Sequence, residues 1–376
     1  MFISILKMKK IILGILISQL YFLPAFSDIE KDMRENCLDY FNKTSRVNEL
    51  CNSLQNKDGS FKKGLDYDIS LLEILLGENI IDEASLSIEK IEKKYNNSEK
   101  LYIYKAWLSF IKKEYSKTEE YSIKASNYDS TDLKSYYFLI NSYYFQKKYF
   151  EVISTYSKIS NIKINNDLYY YRIAHSYFNL DQKTEAIENL KKAIEIKEDH
   201  SYYYFLGVIY RNLNKFKESS EYFEKAVKLN PEQNYLYYYS LAVSYKGMKE
   251  HKKAIELFNK SIELNPNYPE NYEKLGYIYF LENNYDKAIE ILDKAIEYKT
   301  ESPDVYSLIG VLYRTKGKFD LAIITLSKAI NLSPKNASYY YFLAETYSLL
   351  NNKKMADENY IKSCTLGFKD ACNKNG

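Results

Sequence analysis

Four cysteines and three histidines are the residues of this 376-residue chain suited to thiolate or imidazole chemistry, and their spacing argues against most of it. Cys37 and Cys51 stand near the start, Cys364 and Cys372 near the end, with no CxxC and no histidine beside either pair. That pattern disfavours a metal or redox centre, whereas an even count of cysteines fits disulfides, of which three pairings are possible. His175, His200 and His251 are scattered, and no HExxH, GxSxG, phosphate-cradling glycine loop or DxDxDG calcium loop occurs. His200 and His251 fall where a solvated residue is expected. The sequence therefore offers no catalytic group, no metal ligand set and no cofactor motif, and reads as a non-enzymatic protein.

Composition points to helices with aromatic faces. Tyrosine is abundant (42 residues) and proline scarce (6), which suits neither a collagen-like nor a disordered chain. Residues 1–27 form an export signal by pattern: Lys7, Lys9 and Lys10 precede the apolar run IILGILISQLYFL, and Ala25 and Ser27 occupy the small-residue cleavage positions. The apolar run is shorter than the about 20 residues of a membrane span. Cleavage before Asp28 removes three lysines and takes the formal charge from +3 to zero, so no nucleic-acid partner is expected. The expected location is periplasmic or secreted.

What positions the side chains is a repeat. Small residues recur at Asn141, Ala174, Gly207, Ala242, Gly276, Gly310 and Ala344, separated by 33, 33, 35, 34, 34 and 34 residues. A tyrosine follows each by three residues (Tyr144, Tyr177, Tyr210, Tyr245, Tyr279, Tyr313, Tyr347), on the same helical face. A second small position recurs at Ala186, Ser219, Ala254, Ala288, Ala322 and Ala356, so that two antiparallel helices approach small against small. Pro231, Pro266 and Pro334 end helical patterns, and short polar stretches such as NLNKFKE force antiparallel neighbours. In the stretch 101–125, Trp107 occupies the place where Gly or Ala would stand.

This pattern resembles the tetratricopeptide repeat family. Tyr203, Leu206, Gly207, Tyr210, Phe223, Ala226 and Pro231 carry the resemblance in one unit, and Tyr306, Ile309, Gly310, Tyr313, Ala322, Ala329 and Pro334 in another. It implies an all-α fold, a right-handed solenoid of antiparallel helix pairs. The expected organisation is a signal peptide (1–27), an N-terminal helical cap (28–59), degenerate helical repeats (60–133), seven repeats (134–366) and a C-terminal capping segment (367–376). An extended array keeps its ends apart, which favours Cys37–Cys51 and Cys364–Cys372. Along one unbroken helix Cys364 and Cys372 would be about 12 Å apart, too far for a disulfide, which becomes possible if Gly367 ends that helix and KDAC turns back. The stretch SCTLGFKDAC resembles the cysteine-stapled turns of the related Sel1-like repeats.

The resemblance also implies a concave groove, lined by first helices, that takes extended peptides or helices. The inward aromatic positions are Phe138, Phe145, Tyr171, Phe178, Tyr204, Tyr239, Tyr277, Phe280 and Tyr341, joined by His175 and by the cations Arg172, Arg211, Lys246 and Arg314. Rings supply contact area at low entropic cost, and arginines suit a partner with some acid. The expected function is an exported scaffold or adaptor for a protein or peptide of the cell envelope. The alternatives are a carbohydrate or cell-wall-binding module, or a non-catalytic subunit of an envelope enzyme or transport assembly.

Overall fold

The helices start and stop at places the local chemistry dictates. Asn166, Asp199, Asn234 and Asn336 each accept a hydrogen bond from a backbone N–H in the first turn of the helix that follows. Pro269 and Pro303 open two other helices, where a missing N–H costs nothing. The computed structural model describes residues 64–374 apart from 78, 80, 96–98, 163 and 232–233. Among the described residues every regular element is a helix. The expected signal segment, the expected cap, Cys37 and Cys51 lie outside the described residues. The chain divides into two units, Met1–Ile162 and Lys163–Gly376.

In the first unit α1 (Leu65–Gly77) pairs with α2 (Ile81–Lys94), α3 (Tyr102–Ile111) with α4 (Tyr115–Tyr128), and α5 (Leu133–Phe145) with α6 (Tyr149–Ser157). Leu72, Ala84, Ile88, Leu101 and Leu108 form the core of its first half. Ala106, fully buried, takes the small position of α3, and Trp107 stands beside it with its ring 6.0 Å from that of Phe138. The assignment of Trp107 to that position is corrected by one residue. The reason is the turn that follows, where Glu114 N–H bonds to the Ser109 carbonyl, so that Ser109 stands where the other pairs carry tyrosine. Asn141 is fully buried, and its side-chain amide donates to the Tyr137 carbonyl at 2.7 Å, which lets a polar residue occupy a tight seam.

The second unit comprises six helix pairs and a final short helix. The pairs are α7 (Asp167–Asn179) with α8 (Lys183–Ile196), α9 (His200–Asn212) with α10 (Phe216–Leu229), and α11 (Tyr235–Gly247) with α12 (His251–Leu264). They continue with α13 (Pro269–Leu281) and α14 (Tyr285–Glu297), α15 (Pro303–Thr315) and α16 (Phe319–Leu332), and α17 (Ala337–Leu349) and α18 (Lys353–Thr365). The last helix is α19 (Lys369–Cys372).

One turn closes every pair of this unit. The three-residue connection has its middle residue in the left-handed region: Asp181, Asn214, Lys249, Asn283, Gly317 and Asn351, with φ between 55° and 72°. After α9, Asn214 N–H bonds to the Arg211 carbonyl and Lys215 N–H to the Tyr210 carbonyl, each at 2.9 Å. The same two bonds recur in each pair, and the tyrosine of the sequence pattern marks the carbonyl that accepts the longer-range one. This backbone closure fixes both the tightness of each hairpin and the cadence of the chain.

The seam inside each pair is asymmetric. The small residue of the first helix faces not only the small residue of the second but a large one a turn further on: Gly207 meets Phe223, Gly276 meets Leu292 and Gly310 meets Leu326. Where serine replaces alanine on the second helix it finds a partner, as when Ser219 Oγ donates to the Gly207 carbonyl at 2.9 Å. Between pairs, Ala242, Phe258, Tyr272, Leu275, Leu292 and Ile309 belong to one continuous core. Many tyrosine hydroxyls tie one first helix to the next: Tyr202 donates to Asp167 at 2.6 Å, and Tyr339 to Asp304 at 2.5 Å.

The carboxyl end is covalently closed. Cys364 and Cys372 are bonded, with their α-carbons 4.8 Å apart, and Gly367 (φ +99°) ends α18 so that α19 turns back. Phe368 is thereby held 4.8 Å from the ring of Tyr341.

Candidate partner-binding face

The first helices of the second unit set side chains in three registers relative to the small residue: three before it, one after it and four after it. The first register gives Tyr171, Tyr204, Tyr239 and Tyr341, all half-buried. Tyr171 lies 5.2 Å from Tyr202 and 5.8 Å from Phe205, and Tyr204 stacks on Tyr237 at 4.7 Å. The Tyr204 hydroxyl shares a hydrogen bond with Ser240 Oγ at 3.2 Å. Tyr239 sits 5.8 Å from Phe258 and edge-on to Tyr268 at 5.3 Å, and burial raises its hydroxyl pKa, with Tyr268 and Glu270 adding to the effect and Arg211 opposing it. Tyr341 is pushed up to about 12 by burial and by its hydrogen bond to Glu345.

These rings therefore cement neighbouring repeats and offer only part of their surface to a partner. Tyr277, in the second register, is the most open of the expected rings at 41% exposure, and it packs on Phe280 at 6.1 Å. Phe138 belongs to the first unit and is only 6% exposed, taken up by packing against Trp107 and Phe110. The expectation that it faces a partner is corrected accordingly.

His175 is half-buried, 5.5 Å from Phe205, with its Nδ1 3.0 Å from the Asn179 amide, and burial lowers its pKa. His200 and His251 are not simply solvated as expected: His200 Nδ1 lies 2.7 Å from the Tyr237 hydroxyl and His251 Nδ1 3.6 Å from Glu282. Each bridges successive repeats.

The third register carries the cations. Arg314 of α15 reaches Glu345 of α17 at 2.5 Å and lies 5.7 Å from the Phe342 ring. Lys246 of α11 reaches the corresponding point on α13, where Tyr277 stands, with its ammonium 4.8 Å from the ring centre. Arg211 of α9 lies 5.8 Å from the Phe223 ring, and the corresponding point on α11 is Val243. Among the described residues no carboxylate comes within ion-pair distance of Arg211 or Lys246. Burial, aided by Lys274, lowers the pKa of Lys246. Arg172 is half-buried on α7, apart from this register.

Sequence reasoning missed Glu345, Lys274 and Glu270. Glu345 was open to discovery by comparing the residue after each small position, where it is an acid among His175, Val208, Val243, Tyr277 and Val311.

Among the described residues no cluster of three or more His, Cys, Asp or Glu side chains gathers to hold a metal, and no helix is long and apolar enough to cross a membrane. The arrangement defines a class of protein: a stack of helix pairs that presents a surface built from its first helices. Tetratricopeptide repeat profiles match residues 168–200, 200–233, 235–268, 257–290, 276–314, 312–351 and 337–366, more than half of the chain. The chain belongs to the tetratricopeptide repeat family.

Solved structures resemble the chain in fold to different degrees. The C-terminal part of a TPR repeat-containing protein from Cytophaga hutchinsonii aligns with a TM-score of 0.52 at 20% identity, covering 62% of this chain and 97% of that one. A MamA protein aligns at 28% identity and a TM-score of 0.42, over 46% of this chain and 94% of that one. YrrB, described as a TPR protein with an unusual peptide-binding site, aligns at 20% identity and a TM-score of 0.44, over 50% and 98%. No curated protein matches the chain.

Proposed function

We propose that this protein is an exported adaptor that holds an extended segment of a cell-envelope protein against the first-helix face of its second unit. The observation that carries this reading is the register of that face: rings at Tyr171, Tyr204 and Tyr239 recurring with the repeat, Tyr277 open on the next pair, and Arg211 and Lys246 beside them with no carboxylate in ion-pair distance among the described residues. Such a face gives apolar contact area and charge selection without reacting groups. Export rests on the pattern of residues 1–27, and nucleic acid is not the expected partner. The stapled end, Cys364–Cys372, is assigned to the Sel1-like variety of turn. The rings pack edge and face against one another, so the face supplies no open row of ring faces for sugars, which favours a polypeptide over a carbohydrate.

The test is photocrosslinking in the native cell, with a crosslinking residue in place of Tyr277 and, as control, of Ile324 on α16, which is 64% exposed. A discrete polypeptide adduct from position 277 and none from 324 is expected. Equal labelling from both positions, or adducts only from 324, defeats the reading. Tyr277 is preferable to Tyr204 or Tyr239, because alanine at those two removes packing between repeats as well as any partner contact.

A further inference from the structure

The chain contains its own example of how a cation on this face is neutralised. Arg314 projects from the fourth position after the small residue of α15 and is met by Glu345, the residue after the small residue of α17. In the two pairs where Arg211 and Lys246 occupy the same position, the residue that would answer is Val243 or Tyr277. Both cations are half-buried, and both lie over rings, Arg211 near Phe223 and Lys246 over Tyr277. A ring face compensates a desolvated cation only in part, at about 0.5–2 kcal/mol. Lys274 adds like charge beside Lys246. The acids of this face are set back toward the helix starts, with Glu270 and Glu273 in the first half of α13, while Arg211 and Lys246 are next to last in α9 and α11.

Resting on the adaptor reading above, we infer that Arg211 and Lys246 together read two carboxylates on the bound segment, which take the place on them that Glu345 takes on Arg314. The segment is thus acidic, and geometry sets its spacing. The helices α9 and α11 are in direct contact, and packed helices stand about 8–10 Å apart. An extended polyproline-type strand advances about 9 Å in three residues and returns to the same face. Two acidic residues at i and i+3 therefore match the pair, with the intervening residues against Tyr239.

The experiment measures fluorescence anisotropy of the full mature chain with a labelled peptide, Gly-Tyr-Ala-Glu-Ala-Ala-Glu-Ala-Tyr-Gly, and its double Gln counterpart. Loss of a paired charge contact is expected to weaken the Gln peptide ~10-fold or more. Arg211→Gln and Lys246→Gln should each weaken the Glu peptide and leave the Gln peptide unchanged, with helicity and melting retained. Raising salt from about 50 to about 500 mM should narrow the difference without abolishing it, since partly buried pairs are only partly screened. Equal affinity for the two peptides, or indifference of the Glu peptide to both substitutions, overturns the acidic assignment. So does failure of the wild-type chain to bind either peptide. None of these results touches the crosslinking from position 277, so the assignment and the adaptor reading fail separately.

Discussion

A β-carbon built on Gly276 falls 2.5 Å from Leu292 Cγ, so the absence of a side chain at position 276 is what lets α13 and α14 close on each other. Gly276→Leu should therefore cost roughly 1–3 kcal/mol or more through overpacking, seen as a lower melting temperature. Gly276→Ala should be destabilising alone and partly rescued by Leu292→Ala, since the second substitution frees the volume the first one needs. A double-mutant cycle with no coupling would show that the seam is not where the two helices meet.

The left-handed turn makes a prediction of opposite sign. Lys249 has φ 62°, a conformation that costs an ordinary side chain about 1–2 kcal/mol. Glycine recovers that strain but loses some in the freedom of the unfolded chain, so Lys249→Gly should give a net gain of ~0.5–1 kcal/mol. Gly317→Lys should lose a similar amount. Chemical denaturation of the two variants decides it.

The staple at the carboxyl end should act locally. Cys372→Ser opens a bridge spanning 8 positions, which in the chain-entropy account is worth about 2–3 kcal/mol. The bridge ties α19 to α18 and touches no other pair, so hydrogen exchange should accelerate in α18 and α19 while α9 to α12 keep their protection. Loss of Phe368 from its contact with Tyr341 should accompany it. Uniform acceleration along the whole unit would count against a capping role.

His175 gives a pH dependence with a definite sign. Burial lowers its folded-state pKa below the usual 6.5, so between those two values the unfolded chain binds the extra proton. Stability contributed by neutral His175 is present above pH ~6.5 and declines as pH falls through that value toward the depressed one. Relative to wild type, His175→Asn should flatten the stability profile in that interval. An unchanged slope in urea melts from pH 7 to pH 5 would refute it.

Much of the architecture was legible because the seams require small residues and the turns fix their spacing. Ala174, Gly207, Ala242 and Ala344 announce themselves in this way. The register failed at Trp107, because Ser109 replaces the tyrosine that marks the closing carbonyl elsewhere and Ala106 was passed over. The hydroxyl ties were not legible, since Tyr202 and Asp167, like Tyr339 and Asp304, are 35 residues apart and neither end alone points to the other. On the candidate face the cations themselves were found, but their state of pairing was not. That depends on a diagonal relation between successive first helices, which becomes visible only once Arg314 is seen against Glu345.

The hairpin turn closes through main-chain groups, and its central position is held by Asp, Asn, Lys or Gly in different pairs. Copying or deleting a block of one repeat in the gene would therefore preserve a sound joint at each new boundary without compensating substitutions. The row of first helices could thus grow or shrink in whole steps of one repeat, with the covalent clasp between Cys364 and Cys372 left intact.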